Sequence, residues 1–192
     1  MAGHASTDYK TKLTNNRLGL WLFLISDAFV FAGLLASRFF LLGGQRPPLN
    51  QSLGLFVTGI LLVSSFYMNR SEIEMEHGNQ KGFLRNILVT LVLGTVFLIG
   101  VVGLEWRLAG QEGLLPNSGI DGAIFYLMTG YHAFHVLTGL ILLFIVYRNG
   151  QRGLYTAEKH WGVEAAAVYW HFVDVAWIFF YPALYLMGTV IH

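Results

Sequence analysis

Long apolar runs alternate with short polar segments along this chain. A helix needs about 20 mostly apolar residues to cross the hydrocarbon core of a bilayer. Five runs come close to or exceed that length, at about residues 18–42, 51–69, 83–105, 122–147 and 162–190. The polar residues 1–17 are predicted as a tail that precedes a single membrane domain, residues 18–192. The pattern therefore predicts an all-α integral membrane protein, a bundle of five transmembrane helices.

The distribution of Lys and Arg predicts the orientation of the bundle. Nine of the twelve lie in the N-terminal tail or in the segments that join spans two to three and four to five. Cytoplasmic segments of membrane proteins carry such an excess of positive charge. The sequence therefore predicts a cytoplasmic N-terminus and a C-terminus outside. The remaining three are Arg38, Arg46 and Arg107.

Composition narrows the classes of function. Hydrophobic residues make up 55% of the chain, charged residues 12%, and the formal net charge is +1. A balance so near neutral gives no support to a nucleic-acid partner. The chain has no cysteine, which excludes disulfides, iron–sulfur clusters and thiolate-bound copper.

Two spans carry polar side chains at mid-membrane depth. The segment GYHAFHVLTGL holds His132 and His135, and the last span holds His171 and Asp174, with Glu164 near its start on the same face. A charged side chain at the bilayer centre costs about 2.5–3.5 kcal/mol, so such groups face protein or water and not lipid. Residues three or seven apart share a helix face. We expect these five side chains to point into the bundle.

Three interpretations of these polar groups remain open. They could ligate a metal or a haem, since histidine is the commonest metal ligand. They could form a proton path, or a hydrogen-bonded network that fixes two helices in register. A di-metal helical bundle uses paired Glu-x-x-His motifs, and the one such motif here, Glu74–His77, lies in a polar segment between spans. His135 and His171 are the residues that fit a bis-histidine haem site.

Asp27 is a single carboxylate within the first span. It lies about ten residues into that span, on the order of 14 Å along a helix. An ionisable residue at this depth marks either a functional site or a helix-to-helix hydrogen bond, and the sequence leaves both open.

On the same span, Ala28, Ala32 and Ala36 form a ridge of small residues that predicts close packing of another helix. Pro182 predicts a kink in the last span.

Three of these segments resemble subunit III of the haem-copper oxidases. GYHAFHVLTGL is similar to the family's signature around paired histidines, and HWGVEAAAVYWHFVDVAWIFFYPALYL is similar to its last helix. LWLFLISDAFVFAGL resembles the helix that carries the family's buried carboxylate, which is usually Glu and is Asp27 here. The three motifs occur in the family's order, and the resemblance covers the chain from Arg17 onward.

The resemblance implies an accessory subunit of a bacterial cytochrome c oxidase in aerobic respiratory electron transport. Such a subunit is a multi-pass protein of the plasma membrane and carries no redox centre, because haem and copper lie in its partners. It packs in a complex with the catalytic haem-copper subunit I and subunit II, stabilises the catalytic subunit and supports proton uptake. The equivalent subunit of a quinol oxidase or a nitric oxide reductase is a close variant of this hypothesis.

The resemblance also implies roles for individual residues. Asp27 and Glu105 correspond to proton-handling carboxylates, and Arg148 to a position that holds a phospholipid headgroup. The implied internal polar network consists of His132, His135, Glu164, His171 and Asp174. No catalytic residue and no metal ligand is implied. The long form of the subunit has seven helices, whereas this chain is predicted to have five.

Two hypotheses from other functional classes stay open beside this one. A stand-alone membrane metalloprotein would use His132, His135 and His171 as ligands. A small proton-coupled transporter would use Asp27, although the chain shows no inverted repeat of the kind typical of transporters.

Overall fold

The structure is a computed structural model that describes residues 2–190, with side chains described for residues 11–190. Its elements, in chain order, are α1 Ala2–Leu42, β1 Gln45–Arg46, α2 Gln51–Glu76, α3 Gln80–Leu98, a π-helical segment Ile99–Glu105, α4 Trp106–Gln111, α5 Ile120–Gln151, α6 Trp161–Tyr181, a π-helical segment Pro182–Leu186 and β2 Thr189–Val190. The third crossing is continuous from α3 through the π-helical segment to α4.

The predicted number of transmembrane helices is confirmed. Five described helical segments are long and apolar enough to cross a membrane. They are Thr11–Leu42, Gln51–Glu76, Gln80–Gln111, Ile120–Gln151 and Trp161–Leu186. Beyond the helices, β1 and β2 pair in parallel as a two-stranded sheet at one end of the bundle.

The helices run past most of the predicted ends. The first begins at Ala2, within the segment predicted as a polar tail, and α2 continues to Glu76. Hydropathy reports only the part of a helix that fits the bilayer core, whereas a helix satisfies its own backbone hydrogen bonds in water as well. The last span instead ends early, at Leu186, because the chain turns into β2. Residues 191 and 192 lie outside the described part.

The last helix, α6, occupies the middle of the bundle. It packs against α1, α2 and α5, and its residues Trp170 and Trp177 are fully buried. The indole of Trp170 donates to Ser64 Oγ of α2 at 3.1 Å. The indole of Trp177 donates to Thr58 Oγ1 of the same helix at 2.9 Å. Large aromatic side chains of α6 thus fill the core and hydrogen-bond to hydroxyls across the α2–α6 seam.

The fully buried guanidinium of Arg38 joins the chain segments at the sheet end of the bundle. Its Nε donates to the carbonyl of Ala183 at 2.6 Å, and Nη1 donates to Gly43 at 3.0 Å. Its Nη2 donates to Gln45 at 2.8 Å and to Met187 at 2.7 Å. These carbonyls lie at or just beyond the C-terminal ends of two helical segments, where the helix dipole is negative and favours a cation.

No helix among the described residues packs closely over the alanine ridge of α1. Ala28, Ala32 and Ala36 are exposed, whereas Leu24 and Phe31 are buried. Ala28 and Ala32 border a cavity of about 300 Å³ between α1 and α6, so close packing of another helix on the ridge stays a prediction. The neighbouring face of α1, with Leu24 and Phe31, packs into the bundle.

Candidate functional site

Asp27 of α1 and His135 of α5 meet inside the bundle. Both side chains are buried, with overall exposures of 8% for Asp27 and 5% for His135. Oδ2 of Asp27 lies 3.0 Å from Nε2 of His135, without the straight geometry of a hydrogen bond. The hydroxyl of Tyr131 donates to Oδ1 of Asp27 at 2.6 Å. The sequence singled out Asp27 and His135 separately, and the structure brings them together.

The contacts of His135 fix where its protons lie. Its Nδ1 is 2.8 Å from the carbonyl oxygen of Tyr131, one turn earlier. A carbonyl only accepts hydrogen bonds, so Nδ1 carries a proton. A bond between Nε2 and Asp27 then requires one further proton, carried either by the carboxyl group or by the imidazole. The two side chains can therefore share one transferable proton.

This pair borders a cavity of about 580 Å³ between α1, α5 and α6. Polar and aromatic groups near the pair also line the cavity, among them Thr138 and Tyr169, whose hydroxyls lie 2.7 Å apart. Most of the remaining lining is apolar. The cavity therefore gives a mostly apolar approach to a small polar cluster within the membrane-spanning part of the chain.

Glu164 lies at the end of the bundle and not in its interior. Its two carboxylate oxygens each accept a hydrogen bond of 2.9 Å from Nε and Nη2 of Arg17. The Arg17 side chain is half exposed, and that of Glu164 is about one-quarter exposed. This bidentate pair joins the start of α6 to α1. Glu164 is thus separate from the Asp27–His135 pair.

His171 and Asp174 form a second polar group, on the α2 side of α6. Nδ1 of His171 lies 2.7 Å from Oγ of Ser65 and 4.0 Å from Oδ2 of Asp174. Asp174 is 3% exposed, and its oxygens accept no hydrogen bond of good geometry from the described residues. The five residues expected to form one network therefore lie in separate groups.

His132 is fully buried among aromatic rings. Its ring centroid lies 4.7 Å from that of Trp177, 5.6 Å from that of Phe97 and 6.5 Å from that of Phe31. Neither ring nitrogen has a hydrogen-bond partner among the described residues. His132 thus packs as an aromatic side chain, three residues from a histidine whose surroundings are polar.

The two remaining predicted residues lie at opposite ends of the bundle. Glu105 ends the π-helical segment of the third crossing, is 1% exposed and borders a cavity of about 380 Å³ that Arg46 and Glu112 also line. Arg148 is exposed near the end of α5.

Sequence reasoning missed the hydroxyl partners Tyr131 and Ser65. Tyr131 stands four residues before His135, a spacing that places both on one helix face, so the sequence held a usable signal. Ser65 carries no comparable signal, because its role depends on how α2 turns toward α6.

No three His, Asp or Glu side chains within the described residues are grouped so as to hold one metal ion. His132, His135 and His171, the ligands of the metalloprotein hypothesis, lie in three different surroundings.

Comparison with known proteins identifies the family. The family model described as cytochrome c oxidase subunit III matches residues 3–189. Cytochrome c oxidase subunit 3 of Thermostichus vulcanus is 38% identical over 177 residues, covering 88% of this chain and 86% of the relative. The subunit of Synechocystis sp. is 33% identical over 88% of this chain and 74% of its own length. That of Halichoerus grypus is 32% identical over 90% and 70%. The chain belongs to the cytochrome c oxidase subunit III family.

Proposed function

We propose that this chain is an accessory, non-redox subunit of a bacterial cytochrome c oxidase. It stabilises the catalytic haem-copper subunit I beside subunit II and supports proton uptake, while haem and copper lie in those partners. Family membership supports the assignment to an oxidase complex. The observation that carries the proton-handling role is the Asp27–His135 pair with the Tyr131 hydroxyl beside a cavity.

The proposed chemistry of this pair is storage and transfer of one proton. In one state the carboxyl group of Asp27 is protonated and donates to Nε2 of His135. In the other state the proton lies on the imidazole, and the carboxylate is stabilised by the Tyr131 hydroxyl. The two states differ by transfer across a 3.0 Å contact and leave the net charge of the pair unchanged. Such a pair can hold a proton in the membrane without an isolated charge, which would be costly there.

The test is to substitute Asp27 in the assembled oxidase complex. We expect Asp27→Asn to lower turnover and to move the alkaline fall in activity to lower pH. Protons are scarce at high pH, so losing a group that supplies them makes uptake limiting sooner. Asp27→Glu, which keeps the carboxyl group, should restore most of the activity. The measurement is turnover against pH together with proton uptake by vesicles.

The matched control is Ser26→Ala, which removes an exposed hydroxyl that hydrogen-bonds only within α1, to the carbonyl of Phe23. Its pH profile should match that of the unmodified complex. An Asp27→Asn complex with the normal subunits, haem content and pH profile would contradict the proton-handling role. It would leave the assignment to an oxidase intact.

The equivalent subunit of a quinol oxidase or nitric oxide reductase remains the second candidate. It differs in the electron donor and in the haem groups of the partner chains, so the haem spectrum of the purified complex separates it from the first.

Arg148 is proposed to hold a phospholipid headgroup, supported by its exposed position near the end of α5.

A further inference from the structure

A cavity on the α2–α3 face of the bundle has two arginines at its border. Its volume is about 320 Å³, and Phe66, Tyr67, Arg70, Arg85, Asn86 and Val89 line it. Arg70 lies six residues before the end of α2, and Arg85 lies five residues after the start of α3. At 1.5 Å per residue both lie within about 9 Å of a helix end. This depth corresponds to the polar boundary of a bilayer.

The cavity carries an excess of positive charge. Arg85 is exposed and makes no ion pair or hydrogen bond with any described residue. Arg70 has a single weak pairing, with its Nε 3.8 Å from Oε1 of Glu74. The other oxygen of Glu74 already accepts from the side-chain amide of Asn79 at 2.6 Å. Two arginines thus border one cavity, and the carboxylate nearest to Arg70 does not line it.

The buried side chain of Asn86 adds a hydrogen-bond donor to the same cavity. Asn86 is 1% exposed, and its amide Nδ2 has no hydrogen-bond partner among the described residues. A buried donor without an acceptor destabilises the folded chain, because it has lost its hydrogen bonds to water. An acceptor group bound in the cavity would remove this destabilisation. Together, the two arginines and the amide favour an oxyanion.

We propose that this cavity binds a phosphate oxyanion, held by Arg70 and Arg85 and by a hydrogen bond from Asn86. Guanidinium groups bind phosphate through two parallel hydrogen bonds, which makes arginine well suited to this ligand. The phosphate of a membrane lipid and soluble phosphate share this chemistry. Phe66, which is 60% exposed at the cavity border, provides apolar surface beside the site where an acyl chain can lie. The site is separate from Arg148, which does not line this cavity.

The test uses the full-length chain purified in mild detergent and native mass spectrometry of lipid binding. The probes are phosphatidylglycerol and a diacylglycerol with the same acyl chains. We expect Arg70→Gln with Arg85→Gln to weaken phosphatidylglycerol binding at least about tenfold, because the variant loses two charged hydrogen-bond donors to the phosphate. The matched control Arg152→Gln removes an exposed arginine that does not line the cavity and should change nothing.

Three results would exclude a lipid phosphate as the ligand of this cavity. They are phosphatidylglycerol binding that the double variant leaves unchanged, equal weakening by Arg152→Gln, and diacylglycerol binding as tight as that of phosphatidylglycerol. Single Arg85→Gln, at an exposed position, provides a second variant that should keep the fold and still weaken binding.

A competition experiment distinguishes a lipid phosphate from soluble inorganic phosphate. Inorganic phosphate is added, and modification of the arginines by phenylglyoxal is followed by peptide mapping. Protection of Arg70 and Arg85 by phosphatidylglycerol, with little effect of inorganic phosphate, supports a lipid ligand. Protection by inorganic phosphate alone supports a soluble one. Protection by neither probe would refute the oxyanion site.

Discussion

At the scale of single residues, Arg38 shows how a charge is accommodated inside this bundle. The side chain is fully buried, and no described carboxylate pairs with it. Four carbonyl oxygens from the ends of α1 and the last crossing accept its hydrogen bonds instead. The sequence counted Arg38 only as one of three positive charges toward the outer side, because a count of charges does not show where a side chain hydrogen-bonds.

We predict that Arg38→Gln lowers the free energy of unfolding by about 3 kcal/mol or more, since several buried carbonyls lose a charged donor. The measurement is denaturant unfolding of the purified chain in detergent. The control is Arg107→Gln, at an exposed position near the same end of the bundle, which should stay within about 0.5 kcal/mol of the unmodified chain. Equal effects of the two substitutions would show that the four hydrogen bonds contribute little.

His132 and His135 should respond differently to substitution. His132 has no hydrogen-bond partner among the residues that the structure describes and lies among aromatic rings, so His132→Phe removes two unsatisfied polar atoms and keeps a planar ring. We predict that it changes the free energy of unfolding by less than about 1 kcal/mol, or stabilises the chain. His135→Phe should cost more, because it removes the imidazole next to Asp27 and the Nδ1 hydrogen bond to the Tyr131 carbonyl. Similar losses for both variants in thermal unfolding would contradict this distinction.

The sequence singled out the polar residues that matter but not their partners. Asp27, His135, His171 and Asp174 stand out because each is polar within an apolar run. Which of them meet depends on the rotation and height of each helix, and the apolar pattern constrains these only weakly. Glu164 shows the consequence, since it shares a face with His171 by spacing yet pairs with Arg17 at the end of the helix.

At the scale of helices, glycines allow Trp170 of α6 to sit in the centre of the bundle. A Cβ added at Gly94 of α3 would lie 2.5 Å from Cη2 of Trp170, and one at Gly139 of α5 would lie 3.0 Å from the same indole. The backbones of both helices therefore lie against the Trp170 ring, with no free space for a larger residue. Close approach through small residues drives helix association where no hydrophobic force between helices exists.

Gly94→Ala should destabilise the bundle by about 1–3 kcal/mol, because the ring or the helix has to shift to make room. The matched control is Gly59→Ala, since a Cβ at that position would meet no atom within 4 Å. Thermal unfolding of the two variants in the same detergent provides the comparison. A Gly94→Ala chain as stable as the control would mean that the Trp170 ring moves aside at no measurable cost in stability.

Helix number follows from the sequence more reliably than helix ends. Each apolar run became a crossing, because the bilayer forces an apolar segment into a helix that satisfies its own backbone. The ends depend on capping and on contacts beyond the bilayer. Asn50 caps α2 through a bond to the amide of Leu53, and Asn79 caps α3 through a bond to the amide of Gly82. Hydropathy does not report such bonds.

At the scale of the whole molecule, hydrogen bonds and buried aromatic rings join the helices inside the bundle, and its exterior is apolar. Buried tryptophans and the Arg17–Glu164 pair join α6 to its neighbours, and Arg38 joins α1 to the segment that follows α6. The outer face of α1 exposes the alanine ridge together with Phe29 and Phe40. Family membership supports the expectation that other subunits and lipids cover part of this exterior in an oxidase complex.

Assembly in an oxidase is the central claim, and isolation of the tagged chain from its native membrane tests it most directly. The complex is purified in mild detergent, its chains are identified by peptide sequencing, and a reduced-minus-oxidised spectrum is recorded. We predict haem a absorption together with a large many-helix chain and a copper-bearing chain. A colourless preparation containing this chain alone, from membranes in which the oxidase remains intact, would contradict the account.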